Sequence, residues 1–67
     1  MDIHVEQYPQ LRDLCWNRPA NTVLGGEDAL ALYERNWRFV DVEQLTAVER
    51  ALIDQLVSEY GNGVLNV

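Results

Sequence analysis

The sequence contains no lysine, a single cysteine, a single histidine, two prolines and no long apolar run. Each shortage excludes something. With Cys15 alone, no disulfide can close within the chain, which removes the disulfide framework of small secreted domains. His4 is the only imidazole beside that one thiol, so one chain cannot assemble a Cys/His zinc site. No stretch approaches the 18 or so apolar residues of a membrane span. The start, Met1-Asp2-Ile3-His4-Val5-Glu6, lacks the positive charge and apolar segment of a secretory signal. The expectation is a cytoplasmic protein without a membrane role. Arginine supplies all five positive charges against eleven acids, for a net charge of −6. That field repels a phosphate backbone, making nucleic acid a poor partner, and it favours solubility and basic partner surfaces.

Sixty-seven residues are enough for one domain, taken here as 1–67. A chain of this size buries only about 60% of the surface its unfolded form exposes, and apolar burial barely offsets conformational entropy. The apolar content of 48% is nevertheless ample for a core. Without a disulfide or a metal, stability must come from helix packing, self-association or both.

Residues 46–61 carry the clearest pattern. Thr46 and Glu49 have capping-box spacing, in which each side chain can satisfy a backbone N–H of the first turn. Val48, Leu52, Ile53, Leu56, Val57 and Tyr60 recur at helical spacing, and Gly61 suits a left-handed helix stop. Leu56, mid-stripe, is expected at the centre of the core. Upstream, Pro9 fits a first helical position and Leu11, Leu14 and Cys15 form an i, i+3, i+4 stripe, with Arg18-Pro19 ending the helix. The second helix starts near Glu27 and Asp28. Ala29, Leu30, Tyr33, Trp37 and Val40 share its apolar face, and Glu34 and Arg38 form an i, i+4 pair. The fold class expected is all-α: a small three-helix domain, helices near 9–17, 27–38 and 46–60, with short extended N- and C-terminal segments.

The connections carry weaker signals. Ile3 and Val5 alternate with His4 and Glu6, which suits a short extended segment. Residues 18–26 read as a loop with Val23 and Leu24 tucked under the helices. Asp41 and Gln44 repeat the capping-box spacing, so a tight or 3₁₀-like turn is expected at 39–45, with Asp41 a rival to Thr46 as cap of the third helix. Asn62-Gly63 favours a turn. Val64, Leu65 and Val67 suggest a tail folded onto the body, where it can pair with Ile3–Val5.

Chemistry-bearing constellations are few. Nucleophilic catalysis needs a nucleophile, a base and an orienting group. His4 stands near the chain start, Ser58 on a polar helix face, and Cys15 on an apolar stripe, where cysteine acts as a small hydrophobe. No carboxylate pair sits among enough apolar residues to suggest acid–base work. Gly25, Gly26, Gly61 and Gly63 match no phosphate-binding loop. No catalytic, cofactor-binding or metal-binding residue is assigned. Tyr33 to Phe39 interleaves aromatics with arginines, as base-stacking surfaces do, but Tyr33 and Trp37 belong to the apolar stripe and read as core.

Two residues stand out as partner-binding candidates. Asn36 falls within the apolar face of the second helix, where its amide either bonds to nearby backbone or fixes the register of a contact between chains. Trp16 points about 100° away from Cys15 and off its stripe. It either folds over Pro19 and the Val23-Leu24 loop as a lid or forms the centre of a contact with another chain. The function expected is a non-enzymatic protein–protein interaction module that associates with itself, as a homodimer, or with a protein partner. The alternative is an acidic regulator, antitoxin-like or a nucleic-acid mimic, that occupies a basic partner surface.

Overall fold

A short helix cannot hold itself together in water, because ordering its first turn costs more than the few hydrogen bonds return. The helix α1 (Pro9–Leu14) has only six residues, and its N-cap, Tyr8, offers no side-chain cap. In the computed structural model, which describes residues 1–67, its orphan donors are satisfied from elsewhere in the chain. Glu49, in the first turn of α3 (Ala47–Tyr60), extends its carboxylate to the start of α1. Oε1 accepts the Gln10 N–H at 3.0 Å and Oε2 the Leu11 N–H at 2.9 Å. Oε2 also accepts the Tyr33 hydroxyl at 2.7 Å. Glu49 and Tyr33 are both fully buried. One carboxylate therefore ties together α1, α3 and the helix that carries Tyr33, α2 (Gly26–Arg35).

This arrangement replaces half of the expected capping box. Thr46 does cap α3, its Oγ1 accepting the Glu49 N–H at 3.1 Å. The Glu49 side chain, however, turns into the core and serves α1. Glu49 lies on the apolar stripe of α3 as its spacing implied, and local capping does not account for it. On the stripe of α3, Leu52, Ile53 and Leu56 are buried, whereas Val48 and Tyr60 are exposed. The end of α3 also differs from expectation. Gly61 has φ −108°, and the left-handed positions are Asn62 at φ 54° and Gly63 at φ 79°. Gly61 matters for space: an added Cβ would come within 2.8 Å of the Val64 carbonyl oxygen and 3.0 Å of that of Val57.

The chain is mostly helical, 58% with the 3₁₀ turns counted, but it is not all-α. Strand β1 (Asp2–His4) pairs antiparallel with β2 (Val23–Gly25), Ile3 opposite Leu24. The loop expected at 18–26 thus ends in a strand, and the N-terminal segment pairs with it, not with the C-terminal tail. Ile3 and Val5 are both buried, but only Ile3 lies in the strand; Val5 opens a 3₁₀ turn, Val5–Gln7. Leu24 is buried too, while Val23 on the other face of the pair is exposed. Helix α2 follows β2 directly. At Gly26 an added Cβ would overlap the Tyr60 ring, which would have to move aside.

The other helix ends fall short of the expected 17 and 38. After Leu14, the Cys15 N–H is shared between the Leu11 and Arg12 carbonyls and ψ at Cys15 moves to 30°, which leaves Trp16 in a turn. At the end of α2, the Asn36 backbone N–H reaches the Leu32 and Tyr33 carbonyls and ψ becomes 16°. The tight turn expected at 39–45 is present as the 3₁₀ segment Val42–Gln44, and an unexpected 3₁₀ segment, Trp37–Phe39, replaces the end of the expected helix. Asp41 provides no side-chain cap to Val42–Gln44. Because α2 stops before Arg38, the expected Glu34–Arg38 pair is not formed. Glu34 instead accepts the Asn66 N–H at 2.8 Å, which helps hold the tail, and Leu65 packs half-buried on the core.

Candidate functional site: an exposed aromatic cleft

The early end of α1 and the 3₁₀ turn after α2 lie side by side, and each presents an aromatic ring to solvent. Trp16 is 83% exposed and Phe39 65% exposed. Between them is a cleft of about 280 Å³ lined by Asp13, Leu14, Trp16, Asn36 and Phe39. One wall comes from α1 and its following turn, the other from the end of α2. The fold has thus brought together the two residues the sequence singled out, Trp16 and Asn36. It excludes the lid: a ring 83% exposed is not folded over Pro19 and the Val23-Leu24 loop.

Asn36 is half-buried, and its Nδ2 donates to the Leu32 carbonyl at 2.9 Å. The bond to backbone is therefore present, directed to the preceding turn of its own helix. Phe39 is held from one side by Arg38, whose guanidinium carbon lies 4.8 Å from the ring centroid. Phe39, Asp13 and Leu14 were not marked as partner-binding from the sequence; Phe39 stood out only as part of the aromatic–arginine stretch and Leu14 only as part of an apolar stripe. A signal existed for Phe39, an aromatic off the Tyr33–Trp37–Val40 stripe.

The charges around this cleft differ from those of the rest of the chain. Within two residues of a lining position fall Arg12, Arg18, Arg35 and Arg38 against Asp13, Glu34 and Asp41. The remaining residues hold one arginine, Arg50, against eight acids. The least acidic segments of the chain therefore carry its two most exposed aromatics.

A larger groove of about 520 Å³ runs along α3, with Trp37, Leu45, Ile53, Val57 and Leu65 in its lining. These five side chains are half-buried or buried, so the groove is a dent in the core wall and presents no free ring. Arg50 at its edge is already used, its Nη2 donating to the Val42 carbonyl at 3.2 Å.

The remaining reactive groups are dispersed. His4 is exposed on β1 and Ser58 on α3. Cys15 is buried, as its stripe implied, and that burial raises its thiol pKa against a smaller opposing effect of Arg18. Burial also raises the Tyr33 phenol, reinforced by the Glu49 carboxylate it donates to. No helix is long and apolar enough to cross a membrane. Comparison of the chain with family models, curated proteins and solved structures gives no match in any of the three.

Proposed function

We propose that the protein is a non-enzymatic interaction module that associates with itself through the Trp16–Asn36–Phe39 cleft. The observation that carries the reading is the exposure of Trp16, at 83%, beside a second free ring. A core this small has little apolar surface to spare, and tryptophan is among the residues that dominate binding interfaces. The cleft is smaller than the roughly 300–1,000 Å³ of pockets that enclose a whole small molecule, and suits a side chain from another protein. A cytoplasmic setting belongs to this reading, with neither nucleic acid nor membrane as partner.

Sedimentation of wild type and Trp16→Ala over a concentration series tests it. Wild type is expected to form a concentration-dependent complex. Trp16→Ala should weaken it by at least about 2 kcal/mol, roughly 30-fold, with helicity unchanged. A wild type that stays monomeric at high concentration would sink self-association. A second reading, an acidic regulator that is antitoxin-like or a nucleic-acid mimic, is favoured by the seven exposed acids outside the cleft segments. Salt separates the two: a contact with a basic partner weakens steeply as salt rises, whereas an apolar one tolerates it.

A further inference from the structure

We infer that the occupant of the cleft is a second copy of the chain, docked about a two-fold axis. In this dimer Trp16 of each copy packs on Phe39 of the other, and Asp13 of each copy meets Arg38 of the other. The inference rests on the self-association proposed above and adds the partner residues and the symmetry.

Three observations carry it. The first is the composition of the two walls. The α1 wall offers an exposed aromatic, Trp16, and an exposed acid, Asp13. The opposite wall offers an exposed aromatic, Phe39; the exposed base Arg38 stacks on that ring from outside the cleft, in the lining of the neighbouring pocket with Glu34 and Arg35. A two-fold interface uses the same patch on both subunits, so it requires a self-complementary surface. Turning one copy over the other lays ring on ring and acid on base, twice.

The second is the charge distribution. Two chains of net charge −6 repel one another. They can approach best through their least acidic segments, where Arg12, Arg18, Arg35 and Arg38 outnumber Asp13, Glu34 and Asp41. The third concerns the rival occupant that such rings and arginines could suit, a single-stranded nucleic acid. Asp13 lines the cleft with no hydrogen-bonded partner of its own, and it would face an incoming phosphate.

Exchange of the two charges tests the inference. Asp13 and Arg38 are exposed, so Asp13→Arg and Arg38→Asp are expected to keep the wild-type circular dichroism spectrum. Each single variant alone places like charges together at both ends of the interface, and its self-association should weaken at least about tenfold. Mixing the two single variants restores opposite charges at both contacts. The mixture should therefore form a one-to-one heterodimer, seen by native mass spectrometry, with affinity near that of wild type. The double variant Asp13→Arg/Arg38→Asp should likewise recover a homodimer. A mixture no tighter than the single variants, or complexes that grow beyond dimers, would overturn the two-fold pairing while leaving association through Trp16 standing. A monomeric wild type would overturn both. Tighter binding of a single-stranded oligonucleotide than of a second copy would overturn the choice of occupant.

Discussion

At the scale of single residues, Glu49 and Trp16 do opposite things with groups that are expensive to misplace. Glu49 is a fully buried acid that takes three hydrogen bonds, two of them from the backbone of α1. Glu49→Ala strands those donors, at about 1–3 kcal/mol for each one left unpaired and buried. The variant is expected to lose most or all of its folded population in a domain of marginal stability. Glu49→Gln should be milder but still costly, because its NH₂ would face a donor. Urea denaturation of both compares them; a Glu49→Ala variant as stable as wild type would show that α1 does not need this cap. Tyr33, the third partner, gives a pH signature. Its phenol is raised above the ordinary value near 10 when folded, so the native state holds that proton more tightly than the unfolded state. The associated stability is intact below about pH 10 and falls as pH rises beyond it. In an ultraviolet titration, one of the three tyrosines should ionise only together with unfolding. Ionisation of all three in a still-folded protein would contradict this. The burial of Cys15 was legible from its place on an apolar stripe. The role of Glu49 was not, because its partners lie 38 and 39 residues away in the chain, and local capping already accounted for it.

At the scale of elements, α3 was the most legible part of the molecule, since its start signal and its periodicity agree. The remaining ambiguity was which residue caps it. Thr46 holds the first turn through its hydroxyl, while Asp41 makes no side-chain cap bond. Thr46→Ala should cost about 1 kcal/mol, a fall of roughly 4–8 °C in Tm for a domain of this size. Asp41→Ala should leave Tm within a degree or two. The reverse order would place the functional cap at Asp41. The ends of α1 and α2 were less legible. Arg18-Pro19 was the visible stop for α1, yet the helix tightens and leaves helical angles at Cys15. Both early endings matter for the site, because they leave Trp16 and Phe39 in the turns that follow the helices. Strand β2 was invisible to periodicity, since three residues cannot show an alternation that a loop would not.

At the scale of the whole molecule, the helical character and most of the core positions follow from local patterning, whereas the cleft follows from how the ends of α1 and α2 are set beside each other. Trp16 and Asn36 were legible one by one, as an aromatic off its stripe and an amide on an apolar face. Their proximity was not, because it depends on the Glu49–Tyr33 tie and on the β1–β2 pair. The central claim is that Trp16 leaves solvent when a second copy binds. The most direct measurement is its fluorescence in a Trp37→Phe background, where Trp16 is the only remaining indole. Emission typical of a water-exposed tryptophan is expected at low protein concentration, shifting progressively to the blue as concentration rises, with the midpoint matching the association constant from sedimentation. Emission that stays fully red at every concentration, or that is blue-shifted even in the dilute monomer, would contradict it.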